Sequence, residues 1–123
     1  MTSAMPKALA FDVFGTVVDW RTSIAREAAP FLTAIGREDI DPGTFADGWR
    51  ARYLPAMAAV TAGRSFVILD TLHREMLDSL LADLGIDATA IAEKRLAELN
   101  RGWHRLDPWP DSVAGLTRLK ARF

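Results

Sequence analysis

The chain has 123 residues, half of them hydrophobic and a quarter charged, which suits one globular domain with a buried core. Fifteen basic and sixteen acidic side chains leave a net charge of −1, so there is no basic field for nucleic acid and no acidic tail. Cysteine is absent, which removes disulfide frameworks, thiol nucleophiles and thiolate zinc sites. The start, Met1-Thr-Ser-Ala-Met-Pro-Lys7, lacks the basic and apolar regions of a secretory signal, and later apolar stretches are interrupted by charges. A cytoplasmic protein without a membrane partner is expected.

In chain order, Leu9-Ala-Phe-Asp-Val-Phe-Gly-Thr-Val-Val18 comes first. A continuous apolar run of this kind predicts a strand covered on both faces, as in parallel α/β sheets, where ligands gather outside the carboxyl ends of the strands. Asp12 is presented at that end to a turn at Gly15, and Thr16 offers a hydroxyl and a backbone N–H nearby. An Asp in this setting reads as a nucleophile or, equally, as a turn-former or helix cap.

Helical periodicity takes over after Asp19, a cap by residue type. Ile24, Ala28, Phe31, Leu32 and Ile35 share one face, and Gly36 is a natural stop. Asp41-Pro42 gives a second cap with a first-turn proline; Phe45, Trp49 and Tyr53 then recur every four residues until Pro55 limits or kinks the helix. Trp49 points inward on that stripe, and Arg50, about 100° further round, sits at its flank, where it can face a cleft. The longest stretch follows Gly63, with Phe66, Leu69, Leu72, Met76, Leu77, Leu80, Leu81 and Leu84 in register up to Gly85. Asp87 can cap a fourth, whose apolar face is Ala92, Leu96, Leu99 and Trp103, with Gly102 near its end. Four helices with short connections predict a small bundle. Leu106-Asp-Pro-Trp-Pro-Asp-Ser112 is a proline-rich joint, and Val113, Leu116, Leu119 and Phe123 mark a last amphipathic helix.

Other chemistry-bearing residues have ordinary explanations. His73 and His104 lack a second ligand at metal spacing and read as surface histidines. Asp70, Glu75, Asp78 and Asp83 read as the solvated side of an amphipathic helix. Trp20 and Trp109 flank the two passages into and out of the bundle, where they either pack the joint or line a small pocket.

The phrase Phe11-Asp-Val-Phe-Gly-Thr-Val-Val-Asp-Trp20 resembles the first motif of the haloacid dehalogenase superfamily, and the chain as a whole resembles the N-terminal part of its 2-haloacid dehalogenase (type II) family. The resemblance implies an α/β fold: the first strand of a Rossmann-like core with an inserted helical-bundle cap, mostly helical as it stands. It divides the chain into residues 1–20, core strand and nucleophile loop; 21–107, helical cap; and 108–123, return linker and first helix back in the core. It makes Asp12 the group that attacks substrate and becomes a covalent ester. Phosphatases of the superfamily usually carry a second Asp two positions on, to protonate a departing alkoxide; this chain carries Phe14. A halide leaves without a proton, so Phe14 favours carbon–halogen cleavage and supplies an apolar wall. A haloacid brings one carboxylate, which an Arg can hold, or it can hold the halide, so neither metal nor cofactor is expected. Arg50, in Phe45-Ala-Asp-Gly-Trp-Arg-Ala-Arg-Tyr53, matches the family's Trp-Arg pair over the nucleophile, with Arg52 the competing choice.

The implied reaction turns a 2-haloalkanoic acid, of (S) configuration in this family, into a 2-hydroxy acid with inversion, Thr16 orienting Asp12 or the substrate. Two other readings stand beside it: a Mg²⁺-dependent small-molecule phosphatase of the same superfamily, and a non-catalytic helical fragment or interaction module. The family's later Ser or Thr motif, Lys and acidic loop have no counterpart here, so the expectation is an incomplete, inactive fragment. Residues 7–14 find no second credible strand in this sequence, and buried backbone groups without partners cost on the order of 1–3 kcal/mol each. The first strand is therefore expected to be poorly anchored, paired with another copy in a homodimer, or dependent on the missing half.

Overall fold

The computed structural model describes residues 3–123. Helix α1, Trp20–Ala34, begins where the Asp19 side chain accepts the Thr22 N–H at 3.1 Å, and closes before Gly36, which adopts φ +73°. Asp41 caps α2, Pro42–Ala51, by accepting the Thr44 N–H at 2.9 Å. A new helix, α3, runs Tyr53–Thr61. The break at Arg52 has its cause in Pro55, which has no N–H to offer the Ala51 carbonyl and whose ring crowds it. The kink expected at Pro55 thus falls three residues earlier, and α3, which buries no residue, is a separate element that the sequence reading does not contain.

Helix α4 spans Leu69–Asp83, not the longer stretch from Phe66: Ile68 is extended (φ −68°, ψ 156°), and Phe66 stays 84% exposed outside the helix. Asp87 caps a single 3₁₀ turn, Ala88–Ala90, rather than the fourth helix; α5, Glu93–Asn100, starts behind Ala92, which is exposed and not part of the apolar face. A second 3₁₀ turn, Arg101–His104, carries Trp103 into the core.

The core joins Ile24, Phe31 and Leu32 of α1 to Phe45 and Trp49 of α2, Met76, Leu77, Leu80 and Leu81 of α4, Leu96 and Leu99 of α5, and Trp103. At roughly 1.5–3 kcal/mol for each large side chain removed from water, this cluster holds the bundle together. The surface ion pairs, each contributing about 0–1 kcal/mol, adjust it.

The chain enters and leaves the bundle through an antiparallel ribbon, β1 (Val18–Asp19) against β2 (Asp107–Pro108), with Val18 opposite Pro108 and Asp19 opposite Asp107. Upstream, the strand expected over 7–14 forms no ladder. Among the described residues, the backbone of 7–12 makes no hydrogen bond, and Leu9, Phe11 and Val13 are 40–49% exposed. Only the isolated bridge of Phe14 to Val18 remains. With no neighbouring strand the segment stays at the surface, where water can satisfy its polar groups, which is the poorly anchored outcome. Helix α6, Ser112–Lys120, sets Leu116 and Leu119 beside Ala8, Leu9 and Phe11 across a groove of about 360 Å³, while Val113, expected on that face, is 66% exposed.

Candidate functional site

The loop after the apolar run is built by convergence of backbone donors. The N–H groups of Thr16, Val17 and Val18 point at the Val13 carbonyl at 3.1, 2.9 and 3.2 Å, a turn that Gly15 permits at φ +90°. This brings the Thr16 hydroxyl back onto the exposed Asp12, where it donates to Oδ2 at 2.8 Å. Asp12 Oδ1 takes no side-chain hydrogen bond among the described residues. One carboxylate oxygen of an exposed residue is thus fixed. The return joint clamps the same loop: Trp109 donates its indole N–H to the Gly15 carbonyl at 3.0 Å, and the Ser112 hydroxyl donates to the Val17 carbonyl at 2.6 Å.

Phe14 turns away from solvent into the bundle and meets Arg50. The guanidinium carbon lies 5.0 Å from the Phe14 ring centroid, 4.1 Å from Tyr53 and 5.9 Å from Trp20. Such contacts contribute about 0.5–2 kcal/mol each, more as water is excluded. Arg50 forms no ion pair among the described residues, and its Nη1 is buried without a protein hydrogen-bond partner. Arg52 differs: it pairs with Asp83, donates to the Gly48 carbonyl at 2.7 Å and to the Ser79 hydroxyl at 3.3 Å. Of the two arginines that the sequence left in competition, Arg50 touches the residue two places from Asp12, and Arg52 ties α2 to α4.

His73 departs from its expectation as a surface residue. It is 1% exposed, its ring stacks on Trp103 at 4.4 Å and 16°, and neither ring nitrogen has a partner among the described residues. Burial, and secondarily the Arg50 charge, push its pKa down to about 4, so the imidazole is neutral. The signal was present in the sequence, since His73 precedes Met76, Leu77 and Leu80 by three, four and seven residues and so lies on the apolar stripe. His104 is the surface histidine expected, 2.7 Å from Asp70. The remaining carboxylates of α4 are also solvated ion-pair partners: Glu75 with Arg64 at 2.7 Å, Asp78 with Arg74 at 3.0 Å, and Asp83 with Arg52. Among the described residues, no group of three His, Asp or Glu side chains could hold a metal ion.

Trp20 packs, stacking on Trp103 at 6.3 Å with the Arg50 guanidinium carbon 5.9 Å from its ring, and Trp109 fastens the joint. Two cavities, of about 460 and 500 Å³, lie along α5 and its preceding turn; Asp12, Phe14, Thr16 and Arg50 line neither. No helix among the described residues is long and apolar enough to cross a membrane.

No family model and no curated protein matches the chain. Solved structures do. The defluorinating L-2-haloacid dehalogenase Rha0230 is 53% identical with a TM-score of 0.86, over 91% of this chain and 46% of its own. The L-2-haloacid dehalogenase PA0810 is 40% identical with a TM-score of 0.73, again over 91% of this chain and 46% of its own. The chain therefore spans about half the length of these relatives.

Proposed function

Because this chain belongs to the haloacid dehalogenase superfamily, within its 2-haloacid dehalogenase family, we propose that it carries the nucleophile and the anion-holding arginine of a hydrolytic dehalogenase. An oxygen of the Asp12 carboxylate attacks C2 of an (S)-2-haloalkanoic acid opposite the halogen. The new C–O bond forms as the C–X bond breaks, and halide leaves with the bonding pair. Water then adds to the Asp12 carbonyl carbon, releasing a 2-hydroxy acid of inverted configuration and restoring the carboxylate. Thr16 orients Asp12, Phe14 keeps that side of the site apolar, and Arg50 holds the halide or the substrate carboxylate. No residue of this chain is proposed as the base that activates the water.

The observation that carries the reading is the contact between Arg50, from the helical part, and Phe14, from the loop on which Thr16 holds Asp12. Phe14 also occupies the place where a phosphatase of the superfamily needs a second acid. The same reading treats 1–20 and 108–123 as core and 21–107 as cap, which the ribbon at 18–19 and 107–108 supports. It includes a small-molecule haloacid as partner, a cytoplasmic setting and pairing of two copies. It also holds that the chain by itself turns nothing over, since it supplies one side of a cleft.

The test uses a protein that carries this chain at its relatives' full length. Halide release from (S)-2-chloropropionate is expected, and Asp12→Asn is expected to lower kcat on the order of 10⁴-fold or more, as removal of a covalent nucleophile does. Undiminished turnover in that variant would exclude Asp12. Mg²⁺-dependent release of phosphate from small esters, with no halide freed from haloacids, would replace this reading with the phosphatase.

A further inference from the structure

We propose that His73 is a positioning residue for Arg50: its ring, stacked on Trp103, is the floor on which Phe14 rests, and Phe14 in turn carries the guanidinium. The inference rests on the reading of Arg50 as the holder of an anion. Phe14 meets both members of the stack, His73 at 6.3 Å and Trp103 at 5.7 Å, and Arg50 lies on Phe14 at 5.0 Å. A second link runs through the backbone. The buried indole N–H of Trp49, the residue before Arg50, donates to the His73 carbonyl at 2.9 Å, which fixes α2 on α4 at this level. His73 therefore reaches Arg50 from below through a ring and from behind through the helix that bears it.

Packing alone does not call for a histidine here. A Phe or Leu would fill the space without leaving two buried ring nitrogens unpaired, and such groups carry a desolvation penalty. What the imidazole adds is a ring that is neutral in the folded protein yet feels the charges around it. Those are Arg50 on α2, Asp70 on its own helix and His104 on the turn that carries Trp103; Arg50 and His104 disfavour protonation of His73, and Asp70 favours it. An anion that settles on Arg50 must offset part of the Arg50 effect, so chloride binding and His73 protonation are linked, each strengthening the other.

The experiment takes the protein at its relatives' full length and follows the His73 ring proton by NMR over an acid titration, with and without saturating chloride. Chloride binding is measured in parallel by ³⁵Cl line broadening, which needs no turnover. Chloride is expected to raise the His73 midpoint, and Arg50→Met is expected to raise it and to abolish the chloride effect. His73→Ala is expected to weaken chloride binding about tenfold, and His73→Phe, which restores the ring, to recover it to within twofold. A His73 midpoint indifferent to chloride overturns the proposal, as does a His73→Phe protein that binds chloride as poorly as His73→Ala. Should His73→Ala fail to fold, the wild-type titration and the Phe variant still decide. If chloride shifts His73 while no haloacid is dehalogenated, the positioning role stands and the dehalogenase reading falls.

Discussion

Arg50 and Arg52 are two residues apart and of one type, Arg50 the candidate by its place in the sequence and Arg52 its competitor, and their neighbours give them different tasks. Arg52 meets a carboxylate that is 70% exposed, so Arg52→Ala is expected to cost no more than about 1 kcal/mol of stability and to leave halide release within a few-fold. Arg50 lies against three rings with its Nη1 unpaired. Lysine keeps the charge but not the planar fork, so Arg50→Lys is expected to lower kcat/KM by about tenfold or more, in keeping with roughly 1.5–3 kcal/mol for a hydrogen bond to a charged group. Side-by-side urea denaturation and halide assays on the protein at its relatives' full length, the form for which turnover is proposed, check the contrast. His73 makes a second prediction at this scale. Its folded pKa of about 4 lies below the ordinary 6.5, so between those values the unfolded chain binds the proton and the native one does not. The neutral ring's contribution is intact above about pH 6.5 and is lost as pH falls toward 4, a change of roughly 3 kcal/mol for a shift of this size. His73→Phe is expected to remove that part of the acid sensitivity, seen as a smaller gap between unfolding free energies at pH 4.5 and 7.

Among the elements, the starts of α1 and α2 were the most legible part of the chain. Asp19 and Asp41 announce α1 and α2 because a short carboxylate before an apolar repeat satisfies an otherwise unpaired backbone N–H, a purely local effect. Asp41→Ala is accordingly expected to cost about 1 kcal/mol in urea denaturation without altering the fold. The stripe Phe45–Trp49 was legible for the same reason, since periodicity of 3.6 fixes which side chains share a face. The starts of α4 and α5 were not. Phe66 matches the repeat but stays in the linker, and Asp87 spends its capping capacity on a 3₁₀ turn. In both cases the apolar repeat or the capping residue type fitted more than one starting point, and propensity alone did not choose between them.

For the molecule as a whole, the ribbon between β1 and β2 holds the two ends of the helical part to each other, and Trp109 and Ser112 just beyond it hold them to the Asp12 loop. Trp109 matters most there, through its indole bond to Gly15 and its backbone N–H to Val17 at 3.1 Å. Trp109→Phe is expected to speed amide exchange at Gly15 and Trp109 several-fold while leaving the α1, α2 and α4 core amides unchanged, because an exposed hydrogen bond opens locally at far lower cost than the bundle. Uniform acceleration throughout the chain would show instead that joint and bundle unfold together. The N-terminal run behaves in the same spirit: an apolar sequence is not sufficient for a strand where no neighbour supplies the ladder.

The order of residues alone determined the turn that bends Thr16 back onto Asp12, the absence of a second acid at Phe14, the caps, and the inward faces of most helices, because each depends on atoms within a few positions of one another. Tertiary packing decided which distant rings surround Arg50 and that His73 lies under Phe14. Those outcomes depend on contacts across twenty or more residues, where burial of a ring or loss of water around a charge outweighs any local preference.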